Sequence, residues 1–207
     1  MNASAPTEEV RNSEPELGMW IFLATEILFF GVLFFAYLIM RIHYPEAFAA
    51  ASKHTDVVLG SINTAILLTS SLTMALAVRS FSLGANRACA WLLAATFALG
   101  AAFAAVKFTE YAHDYHEHLV PWLSFAFPSA QAEGARLFFL LYFVMTGAHA
   151  IHLIVGLTWV GVLIVAVSRG LADSKHPDAL EVAGLYWHLI DIIWIFLYPL
   201  LYLVSRT

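Results

Sequence analysis

The chain has 207 residues, 61% of them hydrophobic and only 12% charged. A soluble domain of this size is close to half apolar and about a quarter charged, so the composition excludes a water-soluble fold and places the chain in a membrane. A net charge of −5 argues against nucleic acid as a partner, and one cysteine, Cys89, excludes an internal disulfide and a thiolate metal cluster.

Residues 1–17 are polar and acidic, and read as a tail rather than a cleaved signal, whose leader would be basic. An apolar run of about 20 residues crosses a hydrocarbon core of roughly 30 Å. Five such runs follow, near 18–40, 57–79, 88–111, 135–168 and 181–204. They are too long and too continuous for barrel strands, which alternate in polarity. The predicted fold class is an all-α integral membrane protein. A single bundle of five transmembrane helices takes up residues 18–207.

Span one, GMWIFLATEILFFGVLFFAYLIM, carries Glu26 in its interior, and HYPEAF after it breaks the helix at Pro45. Span two is joined to span three by SLGAN, with Gly84 suited to a tight cap, so those helices are antiparallel neighbours. Lys107 and Glu110, three apart near the end of span three, are expected to pair or to snorkel to the interface. The segment HDYHEH, with His113, His116 and His118, reads as a solvated helix end more readily than as a weak zinc site.

Span four holds His149 and His152, three apart and so on one helix face. Its Gly147, Gly156 and Gly161 are expected to allow close helix approach. In RGLADSKHPDALE, Asp178 is placed to cap the last helix, with Glu181 completing a capping box. Span five carries His188 and Asp191, and Pro199 is expected to kink it.

An ionisable group at bilayer depth is costly and marks a function by default. At 1.5 Å per residue, Glu26 lies about 12 Å from the N-terminal side, His188 about 10 Å and Asp191 about 15 Å. Span four runs the other way, which leaves His149 and His152 about 6–10 Å from that same side. All five fall in one layer, where Glu26 and Asp191 are expected to accept bonds from the imidazoles. Haem ligation by His149 or His152 with His188 is disfavoured, because no Cys, further in-span His or di-iron carboxylate set completes a site. No catalytic residue and no metal ligand set is assigned. Lys and Arg divide five against five between the two sides, so charge alone leaves the orientation open.

Several motifs in order resemble subunit III of the haem-copper oxidases, the cytochrome c oxidase type, in its five-helix form. The resemblance runs from Gly18 to Leu203. It is carried by the glutamate helix at Glu26, the Asn-Thr helix at Asn63 and Thr64, and the Glu-Tyr helix end at Glu110 and Tyr111. It continues in the His-x-x-His helix at His149 and His152, and in the closing helix with Glu181, Trp187, His188, Asp191 and Trp194. Longer members of that family begin with two further helices that are absent here.

The resemblance implies a non-redox subunit of a proton-pumping terminal oxidase in aerobic respiration. The chain would bind no cofactor but phospholipid, while haems and coppers sit in partner subunits. It would flank subunit I directly, beside subunit II and other subunits, and support proton uptake. The resemblance also implies an inner cell membrane location, an N-terminus in the cytoplasm, a C-terminus outside, and a lipid cleft between spans one and two and the other three. Two alternatives stand beside it: a subunit III-like accessory protein of nitric oxide reductase, and an independent proton channel or carrier using the His/Glu/Asp layer.

Overall fold

Lipid offers the backbone no hydrogen bonds, so an apolar run that crosses it closes its own as a helix. The computed structural model describes residues 8–123, 125, 127, 131–171 and 178–203 of the chain, and among them there is no strand. In order they form α1 (Glu8–His43), α2 (Pro45–Ala51), a 3₁₀ turn at Ser52–His54, α3 (Val57–Ser82), α4 (Asn86–His116), α5 (Ala132–Ser168) and α6 (Asp178–Tyr198). Five segments are long and apolar enough to span a membrane: Leu17–His43, Val57–Ser82, Asn86–His116, Ala132–Ser168 and Ala179–Leu203. The chain is an integral membrane protein. The helices overrun the predicted spans because backbone hydrogen bonding continues after apolarity fades.

Most breaks fall where the sequence punctuates them. Pro45 opens α2 at its first turn, where its missing N–H costs nothing. After α3, Gly84 adopts φ +73°. Its N–H bonds to Phe81 O and that of Ala85 to Ser80 O, a double-bonded helix end. α4 ends in the same way around His118, at φ 56° and with Leu119 N bonded to Asp114 O, although no glycine announces it. Asp56, not singled out from the sequence, caps α3 through bonds from the N–H groups of Val58 and Leu59. The predicted Asp178 cap lies outside the described side chains. Pro199 does interrupt α6: the helix widens into a π-helical turn over Pro199–Leu203.

α6 is the central helix, and α3 runs antiparallel along it, fastened by four side-chain hydrogen bonds. Ser61 Oγ lies 2.6 Å from Tyr198 Oη, and Ser71 Oγ lies 2.8 Å from His188 Nδ1. The Trp194 indole donates to Thr64 Oγ1 and the Trp187 indole to Ser70 Oγ, each over 3.1 Å. On its other side, Trp187 fills space left by Gly100 of α4 and Gly156 of α5. Gly147 was predicted to serve close approach, yet a β-carbon added there would meet nothing within 4 Å, because it faces away from the neighbouring helices. Gly161 makes only an ordinary contact with Phe97.

α1 packs on α5 and α6, and α3 on α4 and α6. Among the described residues, spans one and two therefore do not form a group apart, as the expected cleft between them and the other three would require. The hydroxyl-rich face of α3 finds hydrogen-bond partners on α4 and α6 that α1 does not offer. Trp20, Trp91 and Trp122 are all exposed near span ends, where indoles favour the membrane–water interface.

Candidate functional site: two buried ion pairs

Glu26 and His152 meet between α1 and α5. Glu26 Oε2 is 3.1 Å from His152 Nε2, and both side chains are largely shielded. His152 Nδ1 lies 2.8 Å from Ala148 O. A carbonyl only accepts, so Nδ1 carries a proton and Nε2 is left to face the carboxyl. The contact has ion-pair length, yet Oε2 lies outside good hydrogen-bond geometry, so the pair is close without being locked. The edge of Phe30 packs against the imidazole, and the Tyr186 hydroxyl donates to the backbone carbonyl of His152. Beside it runs an apolar groove of about 520 Å³, lined by Met19, Phe22, His152, Val155, Trp159 and Tyr186 among others.

The other three members of the predicted layer do not join this pair. His188 turns to Ser71. Asp191 borders Ser71 as well, but neither of its buried oxygens has a hydrogen-bond partner of good geometry among the described residues. His149 is buried between the edge of Phe103 and the face of Trp194, and both its ring nitrogens lack a partner among the described residues. Shared depth brought five residues to one level, and helix rotation separated them. A step of three residues turns a helix by about 300°, a net 60° between side chains that share a face, and that offset sends His152 toward α1 and His149 inward. Asn63, equally buried, likewise has neither amide atom bonded among the described residues. Glu181 is half-buried in the first turn of α6.

The second ion pair joins Lys107 and Glu110, which were expected to pair or to snorkel and which do pair. Lys107 is only 6% exposed. Its ammonium donates to Glu110 Oε2 at 2.8 Å, to Tyr142 Oη at 3.0 Å and to Tyr202 Oη at 2.8 Å. The rings of Tyr111, Tyr142, Trp194 and Tyr202 surround it at 5.0 to 5.5 Å. Tyr202 Oη in turn donates to Glu110 Oε1 at 2.9 Å, and Tyr111 Oη donates to Thr146 Oγ1 at 2.6 Å. All three ammonium protons are thus used, which is the condition under which a charge tolerates burial. Lys107 does not snorkel because the cage inside offers three acceptors and four ring faces. Tyr142 comes from α5 and Tyr202 from the π-helical turn, and no spacing in the sequence links them to Lys107. The visible signal was the Lys-x-x-Glu step itself.

Where α4 ends, a polar cavity of about 480 Å³ opens, lined by Lys53, His54, Asp56, Glu110, His113 and Asp114 among others. His113 Nε2 lies 3.2 Å from Glu117 Oε1, and His54 Nδ1 lies 3.8 Å from Glu117 Oε2. Among the described residues, no three His, Cys, Asp or Glu side chains gather as metal ligands. His152, His188 and His149, well inside their spans, are each placed apart: beside Glu26, on Ser71 and in an aromatic pocket.

Residues 5–206 match the family described as cytochrome c oxidase subunit III. The chain is 34% identical to cytochrome c oxidase subunit 3 of Bacillus subtilis, over 92% of this chain and 86% of that one. It is 30% identical to quinol oxidase subunit 3 of Bacillus spizizenii, over 91% and 86% respectively. It is 32% identical to cytochrome bo(3) ubiquinol oxidase subunit 3 of Pseudomonas aeruginosa, over 91% and 84%. Five apolar helices and a match over nearly the whole length agree: the chain belongs to the cytochrome c oxidase subunit III family and is a subunit III of the haem-copper oxidases.

Proposed function

We propose that this subunit works without a redox centre of its own inside a proton-pumping terminal oxidase. In this reading it flanks subunit I, binds phospholipid, and carries a protonatable pair that supports proton uptake. The observation that carries it is the Glu26–His152 contact at the edge of the apolar groove. A carboxyl and an imidazole 3.1 Å apart exchange a proton without creating net charge, which lowers the cost of placing them at bilayer depth. The groove beside them fits acyl chains: its walls are aliphatic and aromatic, and it opens at the outer surface of the bundle. His149, His188, Asp191 and Asn63 extend the polar interior and are read as secondary to this pair. The N-terminus is assigned to the cytoplasm and the C-terminus to the outside of the inner cell membrane. Haems and coppers belong to the partner subunits, and cytochrome c is taken as the electron donor.

The test is made on the intact complex. Tagged chain, extracted in gentle detergent, should bring subunit I with it, and the complex should show a haem spectrum and reduce oxygen with cytochrome c. Oxidation of quinol without cytochrome c would move it to the quinol branch. Glu26→Gln keeps the shape and removes the titrating group. It should leave assembly and electron transfer intact while modestly lowering pumping efficiency or shortening turnover lifetime. Glu26→Ala should loosen α1 and reduce assembly. Unchanged stoichiometry and lifetime in Glu26→Gln would make the pair structural.

A further inference from the structure

α1 and α3 pack on α6 from two sides, and the strip of α6 between them is uncovered. His188 lies on that strip with Ile192 and Ile195, which are 51% and 43% exposed. Steps of four and three residues set these three on one helix face. Leu68 and Leu72 of α3 border the strip, and both are exposed. From the same side Ser71 reaches the imidazole, its Oγ 2.8 Å from Nδ1. The face is thus apolar around a single polar pair.

That pair is only half used. Ser71 takes Nδ1, while Nε2 has no hydrogen-bond partner among the described residues. Unlike both nitrogens of His149, it is not sealed inside the bundle. At 1.5 Å per residue, His188 lies about 14 Å from the start of the Ala179–Leu203 segment. Ser71 lies about 16 Å from the end of Val57–Ser82, on the same side of the bundle. Both positions fall at the middle of a hydrocarbon core of roughly 30 Å. Water and phospholipid headgroups do not reside there, and an open ring nitrogen facing acyl chains is costly. Whatever covers this face must bring a polar group of its own to mid-bilayer.

We infer that this face of α3 and α6 docks a transmembrane helix of another oxidase subunit, which bonds His188 Nε2 through a polar side chain at mid-bilayer. Helices in lipid associate by close packing and by such interhelical bonds. A second copy of this chain fits less well. Two-fold symmetry gives both copies the same tautomer, so Nε2 would meet Nε2 as donor against donor or acceptor against acceptor. A small amphiphile is held by enclosure, whereas this face is open. The inference rests on the chain's place in an oxidase complex and adds where that complex holds it.

The experiment uses the whole complex. Photoreactive benzoylphenylalanine placed at Ile192 and irradiated in native membranes should cross-link this chain to another subunit of the oxidase, identified by mass spectrometry. Detergent titration of the purified complex then reads how firmly the chain is held, and thermal melting of each variant checks its folding. His188→Asn keeps an amide near the Nδ1 position and loses the reach of Nε2. It should release the chain about 3- to 15-fold more readily, the range of one interhelical hydrogen bond. His188→Gln reaches the Nε2 position and should restore most of the retention. Cross-links from Ile192 to lipid, to a small amphiphile or to a second copy of this chain alone overturn the proposal. Equal retention of the Asn and Gln variants overturns it too, because Nε2 is then not the contact. The Ile192 label leaves His188 in place, so it decides the face even where a His188 variant fails to fold. If the tagged chain brings no oxidase with it, the functional reading falls. If the oxidase is present and the label at Ile192 does not reach it, the docking face alone falls.

Discussion

Gly100 and Trp187 are complementary in shape: a β-carbon on Gly100 would lie 2.8 Å from the far edge of the indole. The ring is held on its other side by Gly156 and tied to Ser70, so it has nowhere to move. Gly100→Ala should therefore destabilise the bundle by about 1–3 kcal/mol through overpacking. Gly147→Ala, in open space on α5, should be neutral or stabilising by about 0.5–1 kcal/mol through helix propensity. Thermal unfolding of the two variants in the same detergent gives the comparison, and equal shifts would contradict the packing account.

The indoles of α6 need their acceptors on α3. Thr64→Val and Ser70→Ala each leave a buried N–H without a partner, at about 1–3 kcal/mol apiece. Trp194→Phe combined with Thr64→Val removes donor and acceptor together and should recover part of the loss. A double-mutant cycle on melting temperatures measures the coupling, and additive effects would show that the bond contributes nothing.

The two helix ends with left-handed residues predict opposite signs. Gly84→Ala forces a side chain into φ +73° and should cost about 1–2 kcal/mol. His118→Gly relieves a side chain already at φ 56° and should stabilise by up to about 1 kcal/mol, less what the His118 side chain contributes. Chemical denaturation of the purified chain reads both, and a destabilised His118→Gly would mean the imidazole has a role of its own.

Purified without its partners, the chain should show no Soret band and no stoichiometric copper. The motive is the separate engagement of His149, His152 and His188. One haem per chain, lost in His188→Ala, would refute it.

Fold class was legible in the sequence because lipid imposes one local solution on any long apolar run. That Glu26 meets an imidazole was legible for a similar reason, since burying a carboxyl at mid-span demands a partner, but which of His149, His152 and His188 it meets was not. What depth does not carry is azimuth. Two residues near one level and on one helix face can still meet different neighbours, and depth alone therefore merged His149 with His152. The Lys107 cage was hidden for another reason. Its acceptors come from Glu110, Tyr142 and Tyr202, and tyrosines scattered through apolar spans read as packing until the helices are set side by side. The α3–α6 fastening was hidden by the same ambiguity, because Ser and Thr in a span bond equally well to their own helix. Several here do that too, as Thr64 does to Gly60 O and Ser61 to Val57 O.

α1 precedes the other described helices in the chain, yet it packs mainly on α5 and α6, the last of them. The Tyr37 hydroxyl donates to Leu200 O, 163 residues further on. At roughly 5–20 residues per second, that partner is synthesised about 8–33 s later. During this interval the α3–α4 hairpin can close by itself, while α1 sits in lipid with Glu26 lacking its imidazole. Until then the polar groups of α1 stay without these partners, so the contacts that close the bundle join its first and last described helices.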